Sequence, residues 1–267
     1  MQLMALPMYN VTPALAADWR ALLEHVRTSL RRDGLAGELA IVDPPDPLLA
    51  FWQRPDLLLS QTCGYPLVRH LRDRVQLVAT PVFEVAGCDG PLYRSEIVVA
   101  AASGLDRLEA CRGKVAAVSQ WDSHSGMNAL RHAVAPLAAD GVFFEAVVTT
   151  GSHLGSLQAV ADGRADVASI DCVSLAFVRD LRPDLVAAVR VIGHTQLAPG
   201  LPLIASSQVP QEVLQAIRVS LDHLLICDAG LAARLKLRRF DTLGWAEYER
   251  ISRMEHEAQK MIYPRLA

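Results

Sequence analysis

Few of the patterns that mark dedicated chemistry occur in this 267-residue sequence. Its five cysteines, Cys63, Cys88, Cys111, Cys172 and Cys227, lie far apart and form no CxxC pair. An odd count at such spacing excludes a disulfide framework and a cysteine-based zinc site, and predicts buried free thiols. There is no HExxH, P-loop or GxSxG; His124 and His132 are eight residues apart, and residues 254–257 carry a single histidine. Neither a resident metal nor a cofactor is therefore expected. Charge of one sign is also missing: the net charge is −3, and the doublets Arg31-Arg32 and Arg238-Arg239 read as solvated helix faces. Nucleic acid and anionic membranes are thus not expected partners. No apolar run reaches the ~18 residues of a membrane helix. The N-terminus, MQLMALPMYNV, has no basic segment and too short an apolar core for a secretory signal. The sequence as written predicts a cytoplasmic chain, or a periplasmic one whose leader has been removed.

What is present is an apolar sequence that switches repeatedly between strand and helix periodicity. Residues 2–9 predict a strand, and Asn10-Val11-Thr12-Pro13 is a cap-and-proline start for a helix over 14–32. A strand at 38–42 stops at the turn Asp43-Pro44-Pro45-Asp46-Pro47, followed by a short helix at 48–53 and a strand at 56–60. Strands at 75–85 and 96–102 flank a polar turn around Cys88-Asp89-Gly90, and a helix is expected at 104–112. A second series then runs strand 115–119, helix 127–137, strand 143–150, helix 154–162, strand 165–170 and helix 174–179. Return strands follow at 189–192 and 202–206, and from 211 to the end the pattern is helical. Such alternation predicts an α/β fold with parallel sheets covered by helices. The two series predict two lobes with a cleft between them: residues 1–97 plus 194–267, and residues 98–193.

In open α/β sheets ligands sit beyond the carboxyl ends of the strands. The segments that follow the predicted strands are Tyr9-Asn10, Ser60-Gln61-Thr62-Cys63-Gly64-Tyr65, Asp122 to Gly126, Gly151-Ser152-His153 and Asp171-Cys172. They are the most polar parts of an apolar stretch of chain. A helix N-terminus presents unpaired N–H groups and a partial positive charge. Ser123 and Ser125 add hydroxyls, Gly126 lets an anion approach the backbone, His124 adds a proton, and Ser152-His153 repeats the design one unit later. An oxyanion between two such ends needs no lysine or arginine. On this expectation Gly126→Val blocks binding with little loss of fold. The structural alternatives are that Ser123 or Ser125 is simply a helix N-cap, that His153 is a satisfied structural histidine, and that Asp171 caps a helix. As part of a site, Asp171 would pair with an amine. Nothing fixes a nucleophile elbow and no carboxylates are paired for acid–base work, so binding is favoured over catalysis.

Three segments, DLLLSQTCGYPL (56–67), DSHSGMNAL (122–130) and TTGSHLGSLQAVADGRADVASIDCVSLAFV (149–178), resemble the phosphate/phosphonate-binding proteins of ABC importers, which have the type II periplasmic binding protein fold. The resemblance spans roughly residues 2–210. It implies two α/β lobes hinged by crossing strands, a C-terminal helical segment, and closure over a small oxyanion or zwitterionic ligand. It further implies that the turn matching Ser123 to Gly126, with the N–H of Met127, holds the phosphonyl oxygens. By the same resemblance His153 and Tyr93 (in PLYRS) approach the ligand, and Asp171 suits the amino group of an aminoalkylphosphonate. Tyr9, Gln61, Thr62, Tyr65 and Ser152 complete the expected ligand-binding set, with no catalytic residue and no metal ligand. The implied partner is an ABC permease and the expected state a monomer. An enzyme on the same scaffold, or a cytoplasmic ligand sensor, is the alternative.

Overall fold

Strands buried on both faces need continuous apolar sequence, and Leu57–Gln61 and Gln2–Ala5 supply it: Met4, Leu57, Leu58 and Leu59 are fully buried. The computed structural model describes residues 1–35, 37–44 and 47–267; Pro45 and Asp46 of the expected proline-rich turn lie outside the described residues. Its chain parts into two compact units, Met1–Glu84 with Pro199–Tyr248, and Val85–Ala198 with Glu249–Ala267.

In the first unit a six-stranded sheet has the order Leu237–Asp241, Val75–Phe83, Leu203–Ser206, Leu57–Gln61, Gln2–Ala5, Leu39–Ile41. Gln2–Ala5 runs parallel to both neighbours, whereas Leu203–Ser206 is antiparallel to Leu57–Gln61 and to Val75–Phe83. The sheet is thus mixed, and the expectation of a purely parallel one is corrected by the returning strands. Leu237–Asp241 pairs antiparallel with Val75–Phe83 inside the segment expected to be helical, so Arg238 and Arg239 lie exposed on a sheet edge and not on a helix. Charges there blunt pairing with other chains. The helix Pro13–Arg32 begins as the sequence dictates: the Thr12 side chain accepts from the N–H of Leu15, with proline at the first position. It buries Leu15, Trp19, Leu22, Leu23, Val26 and Leu30 and packs beside the helix Gln211–Cys227, which buries Leu214, Ile217, Leu221 and Leu224.

The second unit holds a five-stranded sheet in the order Val189–His194, Ser95–Ala100, Val167–Asp171, Val115–Val118, Ala146–Thr149. The last three are mutually parallel, and Ser95–Ala100 is antiparallel to Val167–Asp171 and Val189–His194. Those pairings carry residues 95–97 and 194 in the second sheet, although the expected boundaries placed them in lobe one. The C-terminal residues also differ from expectation. Tyr248 hydrogen-bonds Thr80 (2.7 Å) and the Gly200 carbonyl (3.0 Å). Beyond it, the carbonyl of Ile251 accepts from Asn128, Glu255 pairs with the buried Arg131 at 3.5 Å, and the Ala267 carbonyl accepts from the N–H groups of Phe143 and Phe144. These polar bonds tie residues 249–267 to the second unit.

The helix expected over 104–112 is reduced to the 3₁₀ turn Leu108–Cys111, because Gly104 takes φ +72° and Arg107 is extended. No helix among the described residues is long and apolar enough to cross a membrane. Of the thiols, Cys63, Cys111 and Cys172 are buried, Cys88 is half-buried and Cys227 is exposed, which corrects the expectation that all five are buried. Titrating the native protein with a disulfide reagent should therefore give one fast-reacting thiol, lost in Cys227→Ser. Burial pushes the Cys111 thiol up to about 11, and Cys172 is held upward by its contact with Cys88 and by burial. A wild type and a Cys227→Ser variant with equal fast-phase amplitudes would contradict the assignment.

Candidate binding site

The strand Val115–Val118 delivers the chain into a wide π-helical turn, His124–Asn128, which continues as the helix Ala129–Val134. Ser123 is the N-cap: its Oγ accepts from the N–H of Gly126 at 3.0 Å. One βα unit later Ser152 caps the helix His153–Ala161 in the same way, accepting from the N–H of Gly155 at 3.0 Å. Ser-His-Ser-Gly (123–126) and Ser-His-Leu-Gly (152–155) are thus one local design used twice. Of the two serines offered as a cap, Ser123 is the one that caps and Ser125 lies inside the turn.

Both glycines are required by the protein itself. A Cβ on Gly126 would lie 2.4 Å from Ser119 Oγ, and one on Gly155 would lie 2.6 Å from the Thr150 carbonyl oxygen. The expectation that Gly126→Val spares the fold is corrected: Ser119 already occupies the space next to that backbone. Ser119 Oγ can rotate away, whereas the Thr150 carbonyl cannot. Gly155→Ala should therefore destabilise by about 1–3 kcal/mol, the overpacking range, and Gly126→Ala by less. Adding Ser119→Ala should restore the Gly126→Ala variant. Chemical denaturation of the three proteins checks the order, and equal losses at both glycines would refute it.

The two turns meet through side chains. Ser125 Oγ lies 2.8 Å from His153 Nε2, and the Ser125 carbonyl accepts from Ser169 Oγ (2.7 Å) and Ser95 Oγ (3.1 Å). Ser95 is itself held by Thr195, whose Oγ1 accepts from the Ser95 N–H at 2.8 Å. Ser95, Ser169 and Thr195 were not among the expected site residues. A hydroxyl within the apolar strand VASID was the available signal for Ser169.

His124 is buried against Tyr93, with ring centroids 6.2 Å apart. Arg131 donates to Asn128 Oδ1, which turns the Asn128 NH₂ towards His124 Nδ1 at 3.2 Å. His124 Nδ1 is therefore an acceptor and its proton sits on Nε2. Burial lowers the pKa of His124 to about 3, with His132 adding to the effect, and lowers that of His153 to about 4, partly offset by the Ser169 backbone. Both rings are neutral near pH 7, so the proton expected from His124 is one it shares as an N–H donor and not one it carries as a charge.

Asp171 ends the strand Val167–Asp171 opposite Ser95, and its Oδ1 accepts from the N–H groups of Val173 (2.7 Å) and Ser174 (3.1 Å). It is a helix N-cap, as its structural alternative required. Met127 is buried in the π-helical turn. His153 Nδ1 has no side-chain hydrogen-bond partner among the described residues, and the Ser169 backbone is the polar group that acts on its ring.

The remaining expected residues belong to the first unit. Tyr9 packs edge-on to Phe83 (5.4 Å) and stacks on Trp19 (6.3 Å), which makes its ring part of the core. Thr62 Oγ1 donates to the Cys63 carbonyl, and the Tyr65 hydroxyl accepts from Arg69, whose guanidinium lies over the ring. Gln61 differs: its Nε2 donates to the Leu201 carbonyl, but its Oε1 is buried without a hydrogen-bond partner among the described residues, as is the neighbouring Ser60 Oγ.

A comparison with curated protein sequences gave no significant match. Among solved structures, the chain is similar to a binding protein component of an ABC phosphonate transporter from Pseudomonas aeruginosa (16% identity, 98% of this chain and 88% of that chain, TM-score 0.77). It is also similar to PhnD1 from Prochlorococcus marinus in complex with methylphosphonate (13% identity, 97% and 98%, TM-score 0.74). A third similar structure is XAC2383 from Xanthomonas citri bound to ATP (16% identity, 98% of each chain, TM-score 0.70). At these identities the likeness establishes the fold, that of two-lobed periplasmic binding proteins. Residues 9–236 match the family model described as ABC transporter, phosphonate, periplasmic substrate-binding protein, and the chain belongs to that family of solute-binding, non-enzymatic transporter components.

Proposed function

We propose that this chain captures a small phosphonate or phosphate-like oxyanion on the neutral donors around Ser125, and delivers it to an ABC permease as a periplasmic monomer. The observation that carries the proposal is the 2.8 Å contact of Ser125 Oγ with His153 Nε2, which joins the starts of two helices built on one Ser-His-x-Gly design. With both histidines neutral, the group offers hydroxyl and N–H dipoles and helix N-termini to an anion, without a competing formal charge. Methylphosphonate bound to the Prochlorococcus relative is consistent with such a ligand.

The test is titration calorimetry with methylphosphonate, 2-aminoethylphosphonate, phosphate, phosphite and sulfate. The expected result is saturable binding of at least one phosphorus oxyanion, weakened in Ser125→Ala. Absence of heat from all five at millimolar concentration would reject the proposal. Asp171 gives a finer outcome. Asn in its place keeps the oxygen that caps the helix while removing the charge. Asp171→Asn should therefore retain methylphosphonate binding and lose any preference for 2-aminoethylphosphonate. A preference unchanged by that substitution would assign the amine elsewhere.

A further inference from the structure

His25, His223 and Cys227 play no part in the oxyanion chemistry, yet the fold brings them together on one face of the first unit. His25 comes from the helix Pro13–Arg32; His223 and Cys227 are four residues apart on the helix Gln211–Cys227. Each offers one donor atom, and the three atoms lie within 4.8 Å of one another. Cys227 Sγ is 4.0 Å from His25 Nδ1, across 202 residues of sequence, and the two imidazoles stack with centroids 5.5 Å apart at 21°. His223 and Cys227 are exposed and His25 is half-buried.

We propose that these three residues form a surface metal site for a borderline-soft divalent cation, with zinc as the best fit. Two imidazoles and one thiolate are a donor set such a cation takes at about 2.0–2.3 Å. The i, i+4 spacing puts His223 and Cys227 one above the other on a helix face, and the packed partner helix supplies the third ligand. The present separations exceed those of a closed tetrahedral site, so metal uptake requires the two exposed side chains to turn inward. The fourth position is open to water, as in metal sites with three protein ligands.

The test uses the full chain kept reduced with a phosphine, and zinc and cobalt salts alone as probes. Wild type should take up one equivalent of zinc, and cobalt should produce a thiolate charge-transfer band. His223→Ala, His25→Asn and Cys227→Ser should each weaken zinc by more than about tenfold, since even outer partners of a metal command 10–100-fold. Cys227→Ser should also abolish the cobalt band. His223 and Cys227 are exposed, so their variants should melt like the metal-free wild type. Cys88→Ser, distant in sequence and half-buried, should leave zinc affinity unchanged. No stoichiometric uptake, affinity retained in any of the three ligand variants, or affinity lost in Cys88→Ser would each overturn the site. None of these outcomes depends on oxyanion binding.

Discussion

Methylphosphonate at a hundred times its dissociation constant should stabilise the protein by about 2.7 kcal/mol, because a ligand that binds only the native state adds its mass-action free energy to folding. For a chain of this size each kcal/mol moves the melting temperature by roughly 2–4 °C, so a rise of about 5–11 °C is expected. Ser125→Ala removes the hydroxyl that sits 2.8 Å from His153 Nε2 and leaves that ring nitrogen without its partner. Its ligand-free melting temperature should fall, since a buried polar group without a hydrogen bond costs about 1–3 kcal/mol. Measured against that lower baseline, the ligand-induced rise should shrink or vanish. A Ser125→Ala protein that melts lower but gains as many degrees from ligand as wild type would show that Ser125 serves the fold alone. Sulfate, run in parallel, reports whether the site distinguishes phosphorus oxyanions from a fully deprotonated tetrahedral anion.

Acid should destabilise this protein earlier than its carboxylates alone would. In the unfolded chain a histidine takes up a proton near 6.5, whereas His124 and His153 in the fold resist protonation down to about 3 and about 4. Between those values the unfolded state binds protons that the native state does not. Stability is thus fully present above pH 6.5 and is lost as pH falls through the window. Each pH unit below 6.5 costs roughly 1.4 kcal/mol for each of the two histidines, so over the two units to pH 4.5 the loss is on the order of 5 kcal/mol. Denaturant midpoints measured from pH 7.5 to 4.5 should fall steeply, and less steeply in His124→Asn and in His153→Asn. Identical slopes in the wild type and both variants would mean that the two rings are protonated within the fold.

Which parts of this were legible beforehand follows from the range of the interactions involved. The helix Pro13–Arg32 was readable to within a residue, because Thr12, Pro13 and the apolar spacing at 15, 19, 22, 23, 26 and 30 act within a few residues of one another. The strands Leu57–Gln61, Val115–Val118 and Val167–Asp171 were readable because burial on both faces demands apolar runs. The helix starts at Ser123, Ser152 and Asp171 were local too, since each cap acts on an N–H no more than three residues away.

Long-range partners decided the rest. Leu237–Asp241 is a strand only because the edge of Val75–Phe83 is open to it, and its two arginines carry no strand signal of their own. Residues 249–267 join the second unit through Asn128, Arg131, Phe143 and Phe144, more than a hundred positions earlier in the chain. Gly126 looked like an opening for a ligand until Ser119 proved to fill the space beside it. His124 looked like a source of a proton for the ligand until burial proved to keep both it and His153 neutral. The sequence by itself determined the α/β class, the family resemblance and the caps, because those rest on periodicity and on hydrogen bonds between near neighbours. Only the tertiary structure decided strand direction, the membership of the C-terminal helix, the Ser125–His153 contact and the meeting of His25 with Cys227. Each of these depends on a partner distant in sequence, which no local pattern encodes.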